Sequence, residues 1–209
     1  AELSSVGKMF TTLARLIAAE AGSTLIEEQV DDNPFLAGFY RDERGFAFQT
    51  QIFFLLNRYR QQIEIAQRDL FADLVVADYL FEKDSIFAHV VLGDDELVLY
   101  NRLLEQLRGR IVNPDLVIYL QTSPAVLIDR IRRRGRSFEK GVNEDYLSTL
   151  NEAFNHFFFH YEGSPLLVIN TDRLDFTASR EQLEDIFVRI TERFTGTRFY
   201  VPSWEPGLS

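Results

Sequence analysis

The chain has 209 residues, a formal net charge of −10 and no cysteine, which suits one domain with one core and excludes a disulfide framework, a thiolate metal site and a cysteine nucleophile. An acidic chain is a poor partner for duplex nucleic acid, whose binding is dominated by cations facing phosphates. The apolar runs fall short of the roughly 18 residues of a spanning helix and no charged-then-apolar leader opens the chain, so a soluble cytoplasmic protein without a membrane partner is expected.

Residues 1–23 read as a loop followed by a helix, with Leu13, Leu16 and Ile17 on one face and Gly22 closing the C-terminus. Thr24-Leu25-Ile26-Glu27 is a short strand, and Asp31-Asp32-Asn33-Pro34 carries turn chemistry. From Phe35 to about Arg68 the chain is expected to be mostly helical, and its aromatics (Phe46, Phe48, Phe53, Phe54, Tyr59) read as core or interface. Leu74–Ala77 ends in Asp78 and Leu166–Ile169 ends in Asn170; with Leu116–Leu120 these are unalternating apolar runs. Such runs suit strands buried on both faces, which a parallel sheet covered by helices requires. Helical segments near 95–108, 124–134, 142–161 and 178–192 fill the gaps. The alternation predicts an α/β fold, a three-layer α/β/α parallel sheet in one domain over 1–194, with 195–209 as an extended tail. Ligands of such sheets sit outside the carboxyl ends of the strands, so Glu28, Asp78 and the segment after Asn170 are candidates. His89, His156 and His160 lack metal-ligand companions.

Against the acidic trend, five arginines fall within Asp129-Arg130-Ile131-Arg132-Arg133-Arg134-Gly135-Arg136-Ser137-Phe138-Glu139-Lys140. A solvated basic face is the ordinary reading of a charge run. Here Arg130 and Arg134 are i,i+4 neighbours, and Gly135 then releases the helix so that Arg136 can point to the same volume. Guanidinium forks pair bidentately with phosphate oxygens, which makes this stretch, about 130–140, a candidate lid over a nucleotide.

Seven segments in order resemble the deoxynucleoside kinases, especially the bacterial purine-type enzymes. They are Asn33-Pro34-Phe35-Leu36 with Phe39-Tyr40, Gln51 to Arg58, Asp78 to Asp84, Pro114 to Leu120, the arginine stretch, Tyr146-Leu147 with Leu150-Asn151, and Leu167 to Asp172. The resemblance implies a P-loop nucleoside-kinase-like fold with a helical arginine lid (Arg130, Arg134, Arg136). It also implies transfer of the ATP γ-phosphate to the 5′-hydroxyl of a deoxynucleoside, and pairing into a homodimer. By the same resemblance Glu28 is the general base; Glu27 beside it points to the opposite face of a strand, so one of the two serves. Gln51, Arg58 and Asp84 read the base, Tyr40 and Glu139 hold the sugar 3′-hydroxyl, Asp172 lies on the ATP side, and Asp78 lies near Mg²⁺.

The family opens with a strand running into Gly-x-x-x-x-Gly-Lys-[Ser/Thr], whose amides cradle phosphates. Aligning Thr11-Thr12-Leu13 with its helix start puts Met9 and Phe10 at the Gly-Lys positions; keeping Gly7-Lys8 as that pair puts Met9 at the hydroxyl position. Three explanations stand: lost activity, which would leave a nucleoside- or nucleotide-binding protein; a cradle rebuilt from Gly7, Lys8 and Thr11, with Thr11 also at the metal; or an altered N-terminus. A second departure is Tyr79, where many relatives carry Arg. Lys83, four residues on along a helix, can reach the same region.

Overall fold

The structure, a computed structural model, describes residues 4–67, 74–134, 144–174 and 179–202, the side chains of 4–8, 43 and 131–134 excepted. Helix α1 (Ser4–Ala21) leads into strand β1 (Thr24–Ile26), followed by a 3-10 turn (Val30–Asp32), α2 (Leu36–Phe39) and α3 (Glu43–Ala66). Then come β2 (Val75–Ala77), α4 (Lys83–Val91), α5 (Asp94–Leu107), β3 (Val117–Gln121), α6 (Pro124–Arg134), α7 (Glu144–Phe159), β4 (Leu166–Asn170), α8 (Arg180–Thr191) and β5 (Thr197–Tyr200).

All described strands pair in parallel, as unalternating apolar runs require. β1 pairs with β2, Thr24 opposite Val75, and the second sheet runs β3-β4-β5, Val117 opposite Leu166 and Leu166 opposite Thr197. One face of β3 and β4 packs with α1 and α8 through Leu13, Ile17, Leu120, Leu167, Ile169 and Ile186. The other face, with Val117, Tyr119, Leu166 and Val168, packs on Phe158 of α7. This is the expected three-layer arrangement. Val76 of β2 joins the α1–α8 cluster, so α1 packs against both sheets.

Two expectations are corrected. The opening loop is absent from the described residues: α1 already runs from Ser4, through Gly7 and Lys8, because Met9, Phe10, Leu13, Leu16 and Ile17 recur at helical spacing and all pack into one cluster. The stretch from Phe35 is mostly helical, as expected, and is built as two helices. Asp42 caps α3 by accepting the Gly45 N–H (3.2 Å), which starts a new helix, and Gly38 lets α2 approach so closely that an added Cβ would meet the Phe46 ring at 2.7 Å. The second correction is in the tail: its residues 197–200 form β5, which joins the second sheet beside β4. Gly22 does close α1, in the left-handed conformation (φ 60°).

Candidate active site

The parallel register decides where the first polar candidates meet. Ile26 lies opposite Ala77, and Asp78 N–H continues the ladder to the Ile26 carbonyl (3.1 Å). Glu28 and Asp78 therefore leave adjacent strands side by side at their carboxyl ends. The Glu28 N–H donates to Asp78 Oδ1 (2.8 Å), and the Thr11 hydroxyl of α1 donates to Oδ2 (2.6 Å). Burial pushes the Asp78 carboxyl above its ordinary range, against both donors.

Glu27 and Glu28 diverge as strand alternation demands. Glu27 takes both forks of Arg15, at 2.5 and 2.7 Å, and that hydrogen bonding holds its carboxyl below the usual range. Glu28 turns inward, its side chain 4% exposed; Oε1 pairs with Arg58 Nη2 and Oε2 lies 3.6 Å from Lys83 Nζ. Arg58 Nη1 donates to Asp84 Oδ1, and the Tyr100 hydroxyl donates to Asp84 Oδ2 (2.6 Å). A continuous buried chain, Lys83–Glu28–Arg58–Asp84–Tyr100, thus joins β1, α3, α4 and α5.

Burial works against the charge on Arg58, yet Glu28 and Asp84 hold its pKa above the ordinary value. Burial raises the Asp84 carboxyl against the pull of Arg58 and Tyr100; paired with a guanidinium that cannot lose its proton, it acts as a carboxylate acceptor. The Tyr100 phenol is pushed far up by burial, so it stays a donor. Burial also lowers Lys83 to about 7, with Asp84 opposing.

Helix α3 supplies a stripe in which Gln51, Leu55, Arg58 and Gln62 are all buried. The spacing i, i+4, i+7, i+11 puts them on one face, and three of the four are polar, whereas a core stripe is apolar. The Gln51 amide has neither its nitrogen nor its oxygen hydrogen-bonded, although the residue is wholly buried. Such orphans are rare in folded proteins, and an amide offering both donor and acceptor matches a nucleobase edge.

The remaining candidates fall at two other places. Tyr40 caps the end of α2 with its ring edge-on to Phe39. Arg130 was expected in the lid, and its guanidinium is tied down at the ends of β3 and β4: Nη2 donates to the Thr171 carbonyl (2.5 Å), and Nη1 to the Thr171 and Thr122 hydroxyls (3.1 and 3.4 Å). Asp172 accepts the Ser123 N–H (2.7 Å), joining the loop after β4 to the start of α6. Gly7 and Lys8 lie in the helical backbone one turn before Thr11. Arg134 ends α6; its side chain, Arg136 and Glu139 lie outside the described residues. Among those described, no three His, Cys, Asp or Glu side chains form a metal cluster, and no helix is long and apolar enough to cross a membrane. Tyr100 escaped sequence reasoning because nothing local marks it; only its place beneath Asp84 gives it meaning.

The sequence model of one family, described as deoxynucleoside kinase, matches residues 4–195. The chain is 32% identical over 192 residues to a deoxyguanosine kinase of Bacillus subtilis (strain 168), covering 90% of this chain and 93% of that protein. It is 34% identical to a deoxyadenosine kinase of Dictyostelium discoideum, over 73% of this chain and 63% of that one. Among solved structures, deoxyadenosine kinase from M. mycoides with products dCMP and a flexible dCDP bound superposes with a TM-score of 0.76 at 26% identity, covering 88% of this chain and 94% of that one. The same kinase with bound dATP gives 0.74 at 25% identity, over 89% and 95%.

Proposed function

Because the chain belongs to the deoxynucleoside kinase family, we propose that it transfers the γ-phosphoryl group of ATP to the 5′-hydroxyl of a purine deoxynucleoside. The observation that carries this reading is the unpaired, buried Gln51 amide on the same helical face as Arg58, itself joined to both Asp84 and Glu28. Gln51, Arg58 and Asp84 read the base. Tyr40 and Glu139 hold the 3′-hydroxyl. Glu28 accepts the 5′-hydroxyl proton as that oxygen attacks the γ-phosphorus and the bond to the β-phosphate oxygen breaks, releasing ADP. The purine preference is supported by relatives named as deoxyguanosine and deoxyadenosine kinases.

The phosphates lie between the start of α1, with Gly7, Lys8 and Thr11, and the α6 side, with Asp172, Arg130, Arg134 and Arg136. Asp78 and Thr11 offer two oxygens already drawn together at 2.6 Å, a donor set suited to Mg²⁺, which prefers carboxylate oxygen, water and substrate phosphates. When bound there, the ion would offset negative charge on the phosphates. A homodimer is supported by the apolar surface that α3 and α5 leave open, Leu56, Val98, Leu99 and Leu103 being 40–54% exposed; light scattering that returns the 24.3 kDa of one chain would end that part.

The test is product formation from ATP and Mg²⁺ with deoxyadenosine, deoxyguanosine and deoxycytidine. Higher kcat/KM for a purine is expected. Nucleoside binding without product would leave a binding protein, and neither binding nor product would overturn the reading.

A further inference from the structure

Glu28 is held by two cations, one on each oxygen, and Asp84 of the same buried chain acts on both of them. Arg58 is shared with Asp84. Lys83 is buried, its Nζ 3.6 Å from Glu28 Oε2 and 5.9 Å from the Phe87 ring centroid. Counting the chain's charged members, Glu28 and Asp84 are balanced by Arg58 and Lys83. Burying a lysine is costly because its charge must be desolvated, and helix α4 could have set an apolar residue in its place. Tyr79 supplies no cation, being a phenol, and burial keeps it neutral by pushing it up to about 12.

We propose that Lys83 is a positioning residue for phosphoryl transfer: its ammonium fixes the Glu28 carboxylate by Oε2 and keeps the acceptor side electroneutral as negative charge arrives with the phosphates. A carboxylate has about four lone-pair sites, so Glu28, gripped once at each oxygen, retains a free lone pair for the 5′-hydroxyl proton while its rotation is stopped. Arg58 alone leaves the group free to pivot about a single contact. Without Lys83 the chain would also hold one uncompensated negative charge, which opposes both the nucleotide and the oxyanion forming at the acceptor. The effect is on orientation and charge in the transition state, not on recognition of the base, which is assigned to Gln51, Arg58 and Asp84.

This inference rests on the reading of Glu28 as base, so the variants are chosen to separate the two. Deoxyadenosine phosphorylation is measured for the parent, Lys83→Met, Lys83→Gln, Lys83→Arg and Glu28→Gln, each checked for folding by circular dichroism. Misplacing a reacting group by about 1 Å can cost about 10²-fold. On that scale Lys83→Met is expected to lower kcat by about 10- to 100-fold with KM for deoxyadenosine held within about 3-fold, and Lys83→Arg is expected to restore most of the loss. Lys83→Gln, which can hydrogen-bond but carries no charge, is expected to behave as Met does and decides the matter if Lys83→Met does not fold. Parental kcat in the Gln variant, a loss confined to KM, or an Arg variant no better than Gln each overturns the proposal. An active Glu28→Gln refutes the assignment of the base itself, whereas an inactive Glu28→Gln beside an unaffected Lys83→Gln refutes Lys83 alone.

Discussion

At the scale of single residues, buried polar side chains differ in whether their hydrogen-bonding groups are met. Gln51 is wholly buried with both amide atoms unpaired, and an unsatisfied buried polar group costs about 1–3 kcal/mol. Gln51→Leu, of similar volume, is therefore expected to raise the free energy of unfolding by about 1 kcal/mol while weakening deoxyadenosine binding by about 1–3 kcal/mol. Chemical denaturation and calorimetry read the two quantities; a variant that loses stability would mean the amide has a partner within the folded chain. Tyr100 is the opposite case, a fully satisfied donor. Its hydroxyl meets the buried Asp84 carboxylate at 2.6 Å, and hydrogen bonds to charged groups are worth about 1.5–3 kcal/mol. Tyr100→Phe should lower the free energy of unfolding by that amount, read as a lower urea midpoint at an unchanged slope. An unchanged midpoint would show that Asp84 finds another donor.

At the scale of elements, boundaries follow local chemistry while pairing does not. Gly22 has φ of 60° and open space where a Cβ would go, so the cost of a side chain there is purely conformational. Gly22→Ala is expected to destabilise by about 1–2 kcal/mol; a thermal scan showing no loss would mean the end of α1 rearranges at no cost. The break between α2 and α3 is set by one side chain, Asp42, bonding the Gly45 N–H. Helix α4 was missed as an element although Lys83 was placed on a helix; its buried face, Asp84, Ile86, Phe87, Ala88 and Val91, is too mixed to show a clean period. For α6 the predicted bounds, 124–134, are those observed, since Pro124 pre-sets the first turn. Where Arg130 goes was not legible, because its partners Thr122 and Thr171 come from two separate strands' ends.

For the whole molecule, the buried charge chain makes stability depend on pH. Lys83 lies near 7 in the folded protein, lowered by burial, against 10.5 for the free side chain. Between those values the unfolded chain binds more protons than the folded one, so the stability contributed by this group rises with pH from about 7 towards 10.5 and is least below 7. Comparing unfolding at pH 6 and pH 9, the parent is expected to gain stability relative to Lys83→Met. A parallel change in both proteins would show that Lys83 keeps its ordinary affinity for protons. The carboxyls of Asp78 and Asp84 shift the opposite way, raised by burial.

By itself the sequence determined the α/β class, the parallel strands, the helix that carries the arginines and the list of candidate side chains, because each rests on a local period or a short motif. Glu28 was legible as a polar residue at a strand end, and Arg58 and Asp84 as candidates through the resemblance to the kinase family. Only the tertiary structure decided that Glu28 and not Glu27 faces inward, that Lys83 shares its carboxylate with Arg58, that Arg130 is tied to Thr171, and that residues 197–200 belong to the sheet. Those outcomes depend on strand register and helix packing between residues tens of positions apart, and such distances leave no period in the chain to read.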